Sequence, residues 1–147
     1  MTDSTNPPTT EPKWLKTIAI VALIWNLLGI MAFFAHLMMT PAMLAELPDA
    51  ERALYDTAPS WLVYAFGLAV IAGTLGCIAL VMKKTWAVPL FIASLIGVLA
   101  QNTHSFLLSN TFDVYGASAM IMPAMVIIIA FLLVWLAMTL KNKAILT

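Results

Sequence analysis

A chain of 147 residues that is 63% hydrophobic and 10% charged, with a mean hydropathy of +0.97, lacks the charged surface that a water-soluble domain requires. Seven basic residues balance seven acidic ones, so no net charge draws in a nucleic acid, and the single cysteine, Cys77, excludes an internal disulfide. The chain reads as an all-α membrane protein.

Residues 1–13 open with MTDSTNPPTTEP, which holds Pro, Thr and Asn but no apolar periodicity, and read as a disordered cytoplasmic tail. The apolar run that follows, Thr17 to Met39, is longer than the roughly 7 to 15 residues of a cleavable signal core, and no small-x-small site precedes the next segment. It is therefore an uncleaved span. Residues 14–147 form a single transmembrane domain with further spans at Trp61 to Met82, Trp86 to Leu108 and Ala117 to Leu140. Each is close to the roughly 20 residues that cross a hydrocarbon core. Segments this short satisfy their own backbone only as helices, which predicts a four-helix bundle.

The connections differ in kind. The first, TPAMLAELPDAERALYDTAPS, places Thr40 before Pro41 and Asp49 after Pro48, both patterns that start helices, so one or two short surface helices are expected there. The second is only the turn Lys83 to Thr85, which makes spans two and three an antiparallel hairpin. Pro89 falls in the first turn of span three, where proline is tolerated. Pro123 lies inside span four and marks either a kink or irregular first turns.

Lys13, Lys16, Lys83, Lys84, Lys141 and Lys143 fall on one side of this layout, with only Arg52 on the other. Basic residues stay on the cytoplasmic side, so both termini are expected in the cytoplasm. Trp14, Trp61 and Trp86 stand at span ends, as interfacial aromatic anchors do. In a bacterial cell a helical bundle belongs to the inner membrane, since outer-membrane proteins are barrels.

Aligning Lys16 with Lys84 also pairs Asn26 with Ser94, Gly29 with Gly97, Ala32 with Ala100 and His36 with His104. Glycine and histidine matches are rarer by chance than apolar ones, and both halves end in basic residues, which points to two parallel repeats of a helical hairpin. Ser94, Gly97, Gln101 and His104 lie along one stripe of span three. Such stripes face inward, because polar groups are costly against lipid and glycine admits a neighbouring backbone. Gly73 and Gly76 offer the same small surface on span two, and Ala130 and Ala137 on span four. Asn26, His36, Ser94, Gln101, Asn102 and His104 are thus the candidate polar pathway or binding residues, with Gly29, Gly73, Gly76 and Gly97 as packing positions. Interhelical hydrogen bonding by the amides and Ser94 is the competing reading. For the histidines the alternatives are an interfacial role or a proton-sensitive or metal-binding pair. Two histidines do not close a metal site unless Glu46 or Asp113 contributes, so no metal is assigned. Cys77, in an apolar run, reads as a small packing residue.

No Asp, Glu, Lys or Arg occurs inside any span, and the chain has no phosphate-binding loop, nucleophile elbow or His-Glu-x-x-His motif. It is expected not to be an enzyme and to carry no cofactor.

The stretches LIWNLLGIMAF, MTPAMLAELPDAERALYDTAPSW, GTLGCIALVMKKTWA and YGASAMIMPAMVI give the chain, after its tail, a layout that resembles a family of small four-span bacterial inner-membrane proteins often labelled as sugar transporters. The resemblance implies a sugar as the solute class and assigns no substrate residue. Two functions follow from the sequence: a small-solute permease acting as a homodimer, or a non-transporting accessory or assembly subunit of a membrane complex. The partners expected are the lipid bilayer, a second copy and a small-molecule solute.

Overall fold

The structure, a computed structural model, describes residues 12–109 and 111–147, apart from the side chain of Ala119. Four helical segments are long and apolar enough to cross a membrane: α1 (Lys13–Leu37), α4 (Trp61–Val81), α5 (Ala87–Thr103) together with its continuation to Leu108, and α7 (Ile121–Asn142). The protein is a multi-pass membrane protein with an all-α, four-helix core. Nearly all of the N-terminal tail, residues 1–11, lies outside the described residues.

Helix α1 begins at Lys13, four residues ahead of the apolar run. Pro12, in extended conformation, sets its entry, and Leu15 is buried at 3% exposure. The extra turn buries an apolar side chain, while the exposed Lys13 and Lys16 are long enough to carry their charges to the membrane surface. The first connection holds two short helices, α2 (Pro41–Ala45) and α3 (Asp49–Thr57), at the two predicted starts. Thr40 caps α2 by accepting the Met43 N–H at 3.3 Å. Arg52 secures the other end of α2: its Nε donates to the Leu44 carbonyl at 3.1 Å, and a terminal nitrogen donates to Ala45 at 2.8 Å and Leu47 at 3.0 Å. The guanidinium thus gathers carbonyls from the last turn of α2 and from the residues just past it, where a helix end leaves acceptors over.

After Thr103, span three widens into a π-helical segment, His104–Leu108. Asn102 Nδ2 donates to the Val98 carbonyl at 2.8 Å and Thr103 Oγ1 to Leu99 at 2.7 Å, so side chains share acceptors with the backbone ladder where the register loosens. A short α6 (Thr111–Tyr115) ends at Gly116, whose φ of 81° suits glycine alone. A 3₁₀ turn, Ala117–Met120, leads into α7. Pro123 is the third residue of α7, in the turn whose N–H groups have no intrahelical partner; it marks the irregular start of the span and does not interrupt it.

Helix α4 is the hub. Of its most apolar stretch 56% is buried within the protein, against 11% for α1 and 17% for α7. The main contacts run from α1 to α4, α4 to α5 and α5 to α7, so the outermost pair, α1 and α7, is not closed by direct packing along its length. At the end carrying Lys83 all four spans contribute to one apolar cluster, with Leu15, Leu80, Phe91, Leu136 and Leu140 among its members. Both hairpins stop there in the same way. Lys83 and Ala144 adopt left-handed conformations, with φ of 56° and 57°, and the next residue's N–H returns to the carbonyl five positions back: Lys84 to Ala79 at 2.8 Å and Ile145 to Leu140 at 3.0 Å. Leu146 is then buried in the cluster, and the Thr147 N–H bonds the Lys83 carbonyl at 2.8 Å.

Among the glycines of the spans, it is at Gly97 of α5 that the backbone of another helix comes closest. A Cβ there would lie 2.7 Å from the Ala65 carbonyl oxygen and 2.9 Å from the Ala69 nitrogen, both backbone atoms of α4. At its repeat counterpart, Gly29, the nearest atom is a Val70 methyl at 3.0 Å, which a small rotation relieves. Gly97→Ala is therefore expected to lower bundle stability by roughly 1 to 3 kcal/mol, the usual range for overpacking. Gly29→Ala should cost clearly less. Unfolding midpoints of the two variants in the same detergent check this, and equal losses would mean that close backbone approach is not what Gly97 provides.

Candidate functional site

Asn26 lies midway along α1 and Ser94 midway along α5, and both reach the same residue of the helix between them, Gly73 of α4. The Asn26 side-chain oxygen rests in the space a Cβ on Gly73 would take, and the Ser94 hydroxyl would lie 3.1 Å from such a Cβ. Each polar group keeps a protein partner. Asn26 Nδ2 donates to the Ala22 carbonyl at 2.9 Å and approaches Cys77 Sγ at 3.4 Å, and Ser94 Oγ donates to the Ala69 carbonyl at 2.6 Å. Thr74, beside Gly73, bonds the Val70 carbonyl of its own helix. The two residues that the repeat equates thus meet across one glycine, which a sequence alignment of their helices does not reveal.

Above this junction lies a cleft of about 290 Å³ bounded by α1, α4, α5 and α7. Its walls are mostly apolar, with Asn26, Ser94 and Gln101 supplying amide and hydroxyl groups and no charged side chain taking part. Gln101 is half-buried, and its carboxamide makes no hydrogen bond among the described residues. Its neighbour Asn102 is different: buried, bonded to Val98 and outside the cleft lining. A second cleft of about 650 Å³ runs between α1 and α7, lined by Trp14, Ile18, Val21, Leu132 and Trp135. Trp25, Ile129 and Leu133 line both, so the two form one groove along the open side of the bundle.

The two histidines lie at the end opposite Lys83, and neither lines the cleft. The His36 ring stacks on Tyr55 of α3 with centroids 5.6 Å apart and meets the edge of Phe66 at 6.2 Å. His104, in the π-helical segment, meets the Trp61 ring edge-on at 5.8 Å. Each is held in its own aromatic setting. Phe106 stacks on Phe112 at 5.3 Å, α6 packs against α3, and the Tyr115 phenol is pushed above its ordinary pKa by burial and by the nearby Glu51 carboxylate. Among the described residues no group of three or more His, Cys, Asp or Glu is arranged to hold a metal ion.

The structure therefore brings Asn26, Ser94 and Gln101 together and sets Asn102, His36 and His104 apart from them. The sequence did not mark the role of Cys77 as a neighbour of the Asn26 amide, nor that of Trp25 at the junction of the clefts. Gly29, Gly73, Gly76 and Gly97 all lie at helix contacts, with the Phe91 ring 2.8 Å from where a Cβ on Gly76 would stand. Comparison with known proteins finds no family model that matches the chain, and no similar curated protein or solved structure.

The junction at Gly73 is testable by a double-mutant cycle. Gly73→Ala should destabilise the bundle by displacing the Asn26 amide, and the loss should shrink in an Asn26→Ala background, with a coupling of roughly 0.5 to 3 kcal/mol. Thermal unfolding in detergent provides the readout. The same cost in both backgrounds would place Asn26 elsewhere.

Proposed function

We propose that the protein is a permease for a small uncharged solute, seated in a bacterial inner membrane with both termini in the cytoplasm. The observation that carries this reading is the cleft where the repeat-related Asn26 and Ser94 converge with Gln101. A cavity with mostly apolar walls and a few converging polar groups is the general form of a small-molecule site, and about 290 Å³ is at the small end of that class. Its floor includes Leu133, a member of the apolar cluster that seals the Lys83 end. Such a seal rests on apolar packing, which a shift of helices opens and remakes at low cost. The resemblance to small four-span proteins labelled as sugar transporters points the same way, and a homodimer would enlarge the space that four helices enclose.

A second reading, an accessory subunit of a membrane complex, is favoured by the larger cleft. Its surface between α1 and α7 is apolar apart from Thr17 and carries three indoles, Trp14, Trp25 and Trp135, a shape that a partner's helix fills well.

Two measurements test the proposal. Proteoliposomes containing only this protein should take up at least one member of a panel of neutral solutes above empty vesicles; uptake of none would favour the accessory reading. For orientation, in a Cys77→Ala background, an impermeant thiol reagent outside intact cells should label Glu51→Cys and spare Lys84→Cys. The reverse pattern would invert the topology.

A further inference from the structure

Resting on the reading of the cleft as a solute site, we infer that its occupant is an uncharged amphiphile, a molecule with one polar head the size of a hydroxyl or amide and a linear hydrocarbon tail, which reaches the cleft sideways from the bilayer between α1 and α7. This departs from the free sugar that the resemblance implies.

The polar inventory of the cleft sets the head. Ser94 has committed its proton to the Ala69 carbonyl at 2.6 Å, and Asn26 has committed its amide nitrogen to Ala22 at 2.9 Å. The hydrogen-bonding capacity left for a guest is the whole Gln101 carboxamide, with the lone pairs of the Ser94 hydroxyl and of the Asn26 oxygen, which is packed beside Gly73. One donor group, with three oxygens that accept and do not all face open space, matches a single hydroxyl or amide. A polyol in the same place would bury most of its hydroxyls unpaired, which costs more than the apolar contact returns. No ionisable side chain lines the two clefts, so a charged head would have no counterpart.

The groove sets the tail. Beyond Trp25, Ile129 and Leu133 the space continues into the cleft of about 650 Å³, where Thr17 is the one hydroxyl among aliphatic and indole side chains. A chain of methylene groups leading away from a head at Gln101 meets such walls all along its length. The approach is lateral. Ile18, Val21, Leu132 and Trp135, which line this second cleft, are all exposed on the surface of a helix bundle whose surroundings at that depth are hydrocarbon.

The test uses the full chain in lipid nanodiscs and two photoactivatable probes, 1-octanol and octane, each carrying a mid-chain diazirine, with labelled residues mapped by mass spectrometry. The octanol probe should concentrate on Trp25, Ile129 and Leu133. Gln101→Leu, with its unfolding midpoint checked against the parent, should lower that labelling about three- to tenfold, the worth of one hydrogen bond. Labelling by the octane probe should not respond to the substitution. Octanol labelling unchanged by Gln101→Leu, or as heavy on the outward-facing Ile24, Met31 and Ile128 as in the groove, would overturn the proposal and leave the groove to lipid chains. Displacement of the octanol probe by millimolar glucose would overturn it in favour of a sugar site. Labelling reads occupancy and not flux, so failure of the permease reading appears only in the uptake assay, and failure of the amphiphile reading only here.

Discussion

The contact on which the rest of the architecture depends is the approach of α5 to the backbone of α4 at Gly97. Without a Cβ, α5 comes close enough for Ser94, one turn earlier, to reach the Ala69 carbonyl, so a hydrogen bond and a backbone contact lock the same stretch of two helices. In hydrocarbon no hydrophobic force drives helices together, and the attraction has to come from such close packing and polar contact. Helix α1 meets α4 in a looser manner, with side chains such as Val70 and Phe33 standing between the backbones at Gly29 and Gly67.

That asymmetry explains the groove. The parallel repeat expected from the sequence would give two equivalent interfaces, one between the second and third spans and one between the fourth and first. The chain makes the first of these tightly through Gly97, whereas Gly29, the counterpart on α1, faces Val70 and the cleft. The second interface is consequently replaced by open space along α1 and α7, closed only where the cluster around Leu15 and Leu140 gathers all four spans. The polar residues lie at the closed side of this space, within reach of a molecule that enters it.

Hydropathy made the four spans legible to within a few residues, because a bilayer imposes length and apolarity on any helix that crosses it. The starts at Thr40 and Asp49 were equally plain, since capping chemistry is local. The widened turn after Thr103 was not, as Asn102 and Thr103 compete for carbonyls only once the helix exists. At the site, the alignment of the two halves paired Asn26 with Ser94, and both side chains reach Gly73, yet spacing could not distinguish Gln101 from Asn102, two adjacent amides with opposite fates. Nor could it show that His36 and His104 end in separate aromatic settings, because Tyr55 and Trp61 are brought to them by a loop helix and the start of another span. The gap between α1 and α7 was invisible for the same reason: it is a property of which interfaces fail to form.

The zero net charge conceals a strong polarity along the bundle axis. Lys13, Lys16, Lys83, Lys84, Lys141 and Lys143 share one end, while Glu46, Asp49, Glu51, Asp56 and Asp113 share the other with Arg52, whose guanidinium is engaged by the carbonyls of Leu44, Ala45 and Leu47. A leaflet rich in anionic headgroups attracts each lysine near its surface by about 1 kcal/mol, and it repels the acidic end by the same physics. The molecule is therefore sensitive to a difference in charge between the two leaflets even though it responds little to the average charge of the membrane. Screening by salt weakens that grip at both surfaces together. Lipid asymmetry is in this sense part of what holds the helices at their depth, and a symmetric bilayer of neutral lipids removes it.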